Sequence, residues 1–164
     1  MEEETDDKYE IKLVDASMVE NCICEEVKPE EVSEMLELGK KMIEYCFSVG
    51  AAGLAAPQIG VYKKMFVYRK TEDSFQIIFN PSFIKVSKRP MKVLEGCLTY
   101  KEKGYLVERY KEIQAIFYIP FKGGLKRTGV ALKGEKSIYF QHETDHTNGI
   151  TIKMKGVPQV GQKE

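Results

Sequence analysis

Charge of either sign is not in excess in this chain: 25 basic residues balance 25 acidic ones over 164 residues. That balance removes any global electrostatic case for nucleic-acid binding or membrane-surface attraction, so neither a specific nucleic acid nor a membrane is expected as a partner. No apolar run approaches the ~20 residues that a bilayer crossing needs. The acidic start Met1-Glu2-Glu3-Glu4 lacks the basic-then-apolar opening of a secretory signal, which points to a reducing, cytoplasmic setting. Histidine is scarce, with only two in the chain. A metal centre using both would have to complete its protein ligands with cysteine or carboxylate. Cysteines stand at 22, 24, 46 and 97, but Cys22-Ile23-Cys24 has one intervening residue and no partner pair, which is not a metal-site spacing. Repeats, low-complexity tracts and linkers are also missing. Residues 9–155 are therefore expected to form a single domain, after an acidic lead-in at 1–8 with a disordered composition and before a short tail at 156–164.

What is present centres on Gln141-His142-Glu143-Thr144-Asp145-His146, where the two histidines are four residues apart. That spacing is slightly more than one helical turn, so both imidazoles lie on one face and can share a tetrahedral metal, with Glu143 beside its open position. In the zincin-type arrangement such a glutamate takes a proton from a metal-activated water. The plainer reading is a helix whose histidines are ordinary surface residues. A polar start at 134–136, apolar Ile138, Tyr139 and Phe140, and the stop Asn148-Gly149 predict a helix of about four turns across the motif.

Before it, Pro29-Glu30-Glu31 opens a predicted helix of about five turns, with Val32, Met35, Leu36, Met42, Ile43 and Phe47 at helical spacing up to Gly50. Cys46 falls on or beside that stripe and reads as a buried structural thiol. Residues 50–60, rich in glycine and alanine, read equally as a tight helix-to-strand connection or as a pocket-lining loop whose one side-chain donor is Gln58. Strands are predicted at 65–69, 75–79, 83–87, 91–94, 105–107, 112–119 and 128–132, separated by turn signals that include Asn80-Pro81 and Gly123-Gly124. Residues 9–14 read as a short strand or extended segment, residues 15–28 carry no clear signal, and 150–154 reads as a last strand. The order of helix, many antiparallel strands, then helix argues an α+β fold with the motif helix packed on sheets.

Between two predicted strands lies Glu95-Gly96-Cys97-Leu98-Thr99, and Cys97 is the best third ligand, although an isolated cysteine is more often a core residue. Taken together, Gly53-Leu54-Ala55-Ala56-Pro57-Gln58, Glu95-Gly96-Cys97-Leu98 and the histidine stretch resemble, in order and spacing, the three signature motifs of the peptide deformylases. The resemblance reaches from about residue 42 to 154. It implies antiparallel sheets around a central C-terminal helix and removal of formyl from N-formylmethionyl peptides and nascent chains. One divalent metal is implied on Cys97, His142 and His146, usually Fe(II), with Zn, Ni or Co able to substitute. Glu143 is implied as general base and acid, with Gln58 and the Leu98 backbone N–H on the formyl oxygen. Ala52, Gly53, Val93, Gly96 and Tyr139 are implied to line the substrate site, and Glu95, Arg109 and Asp145 to form an ionic cluster behind the ligands.

Some positions depart from the pattern. Ala51 stands where the family's first motif has glycine, Thr99 replaces the usual serine, and Thr147 replaces the usual leucine. Gly104 takes the place of an arginine carried by many bacterial members. Tyr139, one turn before His142, borders the implied methionine pocket and is expected to narrow it. The chain ends soon after the third motif, as in shortened deformylases encoded by some phages, so any ribosome contact is expected to be weak or to use another surface. Two other readings remain. One is a zincin-type metallopeptidase, whose third ligand usually lies downstream, where 147–164 offers only Glu164 as a carboxylate and no His or Cys. The other is a catalytically impaired relative that binds nascent N-termini.

Overall fold

The run Met65-Phe66-Val67-Tyr68 is apolar at every position, as in a strand covered on both faces. In the structure, a computed structural model describing residues 10–159, this run opens β2 (Met65–Thr71) and its four side chains are buried. Strand alternation sends them to opposite sides. Met65 and Val67 join a core with Met35, Leu38 and Met42, while Phe66 and Tyr68 join a second core around Phe140. The first core is closed by α1 (Val32–Val49) and the second by α2 (Glu135–Thr147).

The remaining strands are β1 (Gly53–Ala55), β3 (Ser74–Lys85), β4 (Met91–Cys97), β5 (Tyr100–Arg109), β6 (Glu112–Phe121), β7 (Gly124–Lys133) and β8 (Val157–Pro158). They form a five-stranded antiparallel sheet, β1-β2-β3-β6-β7, and a three-stranded one, β4-β5-β8. Phe140 of α2 packs edge-on against Phe66 of the larger sheet with ring centroids 5.2 Å apart, while the next turns of α2 meet side chains from β4 and β5. The architecture is thus α+β, with antiparallel sheets around a central late helix and a second helix on the far face. No helix among the described residues is long and apolar enough to cross a membrane.

α1 follows a 3-10 turn at Pro29–Glu31 and ends where Gly50 takes a left-handed φ of 70°. Phe47, placed by its spacing on the core stripe, is 47 % exposed. It follows Cys46, the stripe residue, by about 100° of helical rotation, and its ring packs on Phe75 instead. α2 ends in a Schellman arrangement: Gly149 N–H donates to His146 O and Ile150 N–H to Asp145 O.

Several boundaries differ from the sequence reading. The segments at 75–79 and 83–87 belong to one strand, β3. Asn80-Pro81 sits at an irregularity between Phe79 and Ser82 rather than a chain reversal, and Asn80 (φ 49°) uses its side-chain amide to bond both backbone groups of Val27. A bulge tolerates the missing proline N–H, so the strand continues. Residues 150–154 do not form a strand; a short helix, α3 (Ile152–Lys155), starts at Thr151, whose hydroxyl caps Met154 N–H. The segments at 91–94, 105–107 and 128–132 extend to the full spans of β4, β5 and β7. Of the two readings for 9–14, a strand or an extended segment, the strand does not form over 10–14, and Val14 N–H donates to Gln58 O at 2.9 Å. Tyr9, the lead-in at 1–8 and residues 160–164 lie outside the described residues.

Candidate metal centre

α2 is unusual in being buried while polar. From Phe140 to Thr147 every residue is buried, and only Phe140 is apolar. Burying a polar group without a partner costs on the order of 1–3 kcal/mol, so such a helix needs partners for nearly all of these groups, and Thr144 Oγ1 is the one left without. Gln141 clamps both backbone groups of Tyr110, accepting from its N–H at 3.0 Å and donating to its O at 2.7 Å. Thr147 satisfies its hydroxyl on Thr144 O. The charged members make the site.

His142 donates from Nδ1 to Glu95 Oε1 at 2.7 Å, and His146 Nδ1 meets Glu143 Oε1 at 3.1 Å. Both rings are thereby turned so that Nε2 is free to face a common point, with ring centroids 4.7 Å apart. Cys97, at the end of β4, supplies the third donor: its Sγ lies 3.6 Å from His146 Nε2, and the Cys97, His142 and His146 ligand atoms all fall within 4.8 Å of one another. Tetrahedral coordination with metal–S of about 2.3 Å and metal–N of about 2.05 Å separates S and N by roughly 3.6 Å. The donor set therefore fits one divalent metal with a position left open. The third donor comes from a strand upstream of the helix, and not from downstream as a zincin peptidase would usually have it.

The electrostatics agree with a ligand set. Burial pushes the Cys97 thiol up, but hydrogen bonds and charge from His142 and His146 outweigh it and bring it down to about 5. Burial first, and then the neighbouring Cys22 and Glu143 respectively, push Cys24 and Cys46 up to about 12. A thiolate is the metal-binding form, so of these three only Cys97 is poised for it. Burial also opposes charge on His142, yet Glu143, Cys97 and Glu95 raise it well above the ordinary imidazole range.

Behind His142, Glu95 takes a bidentate pair from Arg109 (Nε–Oε2 2.7 Å, Nη2–Oε1 3.0 Å), and Arg109 Nη1 reaches Asp145 Oδ2 at 2.6 Å. Burial raises the Glu95 carboxyl, but its bonds from His142 and Arg109 and the guanidinium charge hold it at about 2. Arg109 is 1 % exposed. The three residues singled out as an ionic cluster are thus in direct contact.

In front lies a cavity of about 590 Å³. Cys97, His142, Glu143, Gln58 and Leu98 line it, as do Ala52, Gly53, Val93, Gly96 and Tyr139, whereas His146 sits behind the wall at 1 % exposure. Gln58 is on a 3-10 turn (Ala56–Ile59), where Ala55 N–H fixes its Oε1 at 2.9 Å. Its Nε2 then points into the site, 3.0 Å from Thr99 Oγ1 and 3.4 Å from Cys97 Sγ. Gly53 has a particular reason to be glycine: a Cβ there would lie 2.6 Å from Glu143 Oε2. Gly96 has no such neighbour, and its φ is outside the left-handed range. Its lack of a side chain keeps the cavity open.

Residues missed by the sequence reading also border the cavity: Leu94, Lys101, Glu135 and Ile138. Ile138 precedes His142 by four positions, so helical spacing could have indicated it as it did Tyr139. Lys155, which donates to Asp145 Oδ2 at 3.1 Å, gave no local signal.

The family described as polypeptide deformylase matches residues 10–160. A peptide deformylase of Thermotoga petrophila is 34 % identical over 113 residues, which span 69 % of this chain and 66 % of that protein. The crystal structure of peptide deformylase from Thermotoga maritima superposes with a TM-score of 0.78 at 25 % identity, covering 92 % of this chain and 99 % of that one. That of a probable peptide deformylase from Synechococcus phage S-SSM7 superposes at 0.76 with 30 % identity, covering 87 % and 97 %.

Proposed function

The chain belongs to the polypeptide deformylase family, and from that membership we propose that it removes the formyl group from N-formylmethionine at the start of newly made polypeptides, releasing formate. The observation that carries this reading is one wall of the cavity, where the Cys97, His142 and His146 donors, the Glu143 carboxylate and the Gln58 amide converge. Residues 9–155 act as one catalytic domain in this reading.

Cys97, His142 and His146 would hold the metal, Fe(II) in the native state with Zn, Ni or Co as substitutes. Bound there, the metal supplies Lewis acidity that makes a water acidic near neutral pH. Glu143 Oε2, facing the cavity beside Gly53, takes the proton of the attacking water as its oxygen bonds to the formyl carbon. Gln58 Nε2 and the Leu98 N–H donate to the formyl oxygen while it gathers negative charge, and removing one such donor typically costs about 3 kcal/mol. Glu143 then delivers the proton to the methionyl nitrogen as the C–N bond breaks, leaving formate and a free amine. Glu95, tied to Arg109 and through it to Asp145, holds the His142 ring in place.

The methionine side chain enters between Val93 and Tyr139, with Ala52, Gly53 and Gly96 leaving room for substrate backbone. Tyr139 narrows this pocket. The partners are formylated nascent chains in the cytoplasm, with ribosome contact weak and no specific nucleic acid.

Anaerobically purified protein assayed for formate from formyl-Met-Ala-Ser, with metal measured on the same sample, tests the reading. We expect turnover with about one metal per chain, and a Glu143→Ala variant that keeps metal but loses at least about a hundredfold in kcat. An active Glu143→Ala protein would overturn the mechanism, and a metal-loaded wild type that releases no formate would overturn the activity.

A further inference from the structure

The charged chain behind His142 does not end at Asp145. Lys155, in the last turn of α3, donates to Asp145 Oδ2, the same oxygen that accepts from Arg109. From the surface inward the links are Lys155 to Asp145 at 3.1 Å, Asp145 to Arg109 at 2.6 Å, Arg109 to Glu95 at 2.7 and 3.0 Å, and Glu95 to His142 at 2.7 Å. Asp145 and Glu95 are two carboxylates, Arg109 and Lys155 two cations. With Lys155 these four charges balance; without it, two buried carboxylates share one guanidinium.

We propose that Lys155 is a positioning residue for the metal ligand His142, acting through Asp145, Arg109 and Glu95. The inference rests on the metal centre described above. Its physical basis is competition for Arg109. When Lys155 shares Asp145, Arg109 can keep both of its bonds to Glu95, and Glu95 Oε1 stays where it accepts from His142 Nδ1. When Lys155 is removed, water at its one-third-exposed place offsets much of the lost charge and the fold loses little, but Asp145 relies more on Arg109 and draws it away from Glu95. The histidine then loses the acceptor that fixes its ring orientation.

α3 is built to hold the lysine in place. Thr151 and Ile152 are buried, and the Tyr100 hydroxyl donates to Glu20 and accepts from the Thr151 hydroxyl. Gly156 fits against Leu106 O, where a Cβ would approach to 2.7 Å, and β8 then pairs with Tyr105 and Leu106 of β5, the strand that carries Arg109. Lys155 itself is about one-third exposed, the most accessible member of the chain.

The test uses Zn-loaded full-length protein and the rate at which a chromogenic chelator strips the metal, alongside the melting temperature of the metal-free form. Direct partners of a metal-bound histidine are worth about 10–100-fold in metal affinity, so Lys155→Met, three links beyond Glu95, is expected to release metal about fivefold faster. Lys155→Gln, which keeps a polar tip without charge, is expected to do the same, and Lys155→Arg to restore retention. A purely structural lysine would lower the metal-free melting temperature, whereas positioning leaves it within about 2 °C. Unchanged release in both neutral variants would overturn the inference, as would faster release matched by a lower metal-free melting temperature or left unrescued by arginine. Formate release by the wild type is read separately, so loss of the deformylase reading and loss of this inference are distinguishable.

Discussion

At the scale of single residues, Gly53 and Glu143 show how a position that looks merely permissive is fixed by its neighbour. The carboxylate that reads as general base from its place between two histidines needs space on its outer side. Gly53, ninety residues earlier, leaves that space. A methyl group there meets the tip of a flexible side chain, so the fold yields by moving Glu143 off His146 and not by opening the sheet. Gly53→Ala is therefore expected to melt within about 2 °C of wild type and still to load one metal per chain, though less tightly because His146 loses its Nδ1 partner. Its kcat should fall by about tenfold or more, because a positioned base is worth about 10²–10⁴. Wild-type turnover with formyl-Met-Ala-Ser would show that Glu143 does not need this gap.

At the scale of elements, α2 carries the site because its ends are defined and its buried polar side chains, Thr144 apart, are answered. Gly149 closes the helix at φ 74°, and an added Cβ would lie 2.5 Å from Cys22 N and 2.8 Å from Asn21 C. Those are backbone atoms, so unlike the Gly53 case nothing soft can give way. Gly149→Ala combines left-handed strain with a main-chain clash and is expected to cost on the order of 3 kcal/mol in urea unfolding. A loss below about 1 kcal/mol would mean the 21–22 segment is free to move away. The Asn148-Gly149 stop was legible in the sequence; the segment pressed against it, in the stretch 15–28 that carried no signal, was not.

At the scale of the whole molecule, the charged cluster joins β4, β5, α2 and α3 and gives the metal-free protein an acid limit. The folded Glu95 carboxyl lies at about 2, below its ordinary value of 4.5. A depressed carboxyl contributes stability that is fully present above its unfolded value and is lost as pH falls through the folded one. For Glu95 that window runs from about 4.5 down to about 2, and the full shift corresponds to roughly 3 kcal/mol. The urea midpoint of metal-free protein is expected to drop between pH 5 and pH 3, and the drop to shrink in Glu95→Gln. An undiminished drop in that variant would place the acid sensitivity elsewhere.

By itself the sequence determined what local spacing and residue chemistry can specify. The four-residue separation of His142 and His146 put both rings on one helix face, short apolar runs between turn signals specified strands, and three short motifs in order marked the family. It did not determine what meets across the chain, because a contact between residues dozens of positions apart leaves no periodicity behind. Only the tertiary structure decided that Asn80-Pro81 bends a strand without ending it, and that residues 150–154 become a helix whose lysine reaches Asp145. Only there does Gly53 leave room for Glu143, and only there does β4 bring Cys97 within 3.6 Å of His146 Nε2. Each of these depends on packing and on partners for buried charge, which exist only once the two sheets have closed around α2.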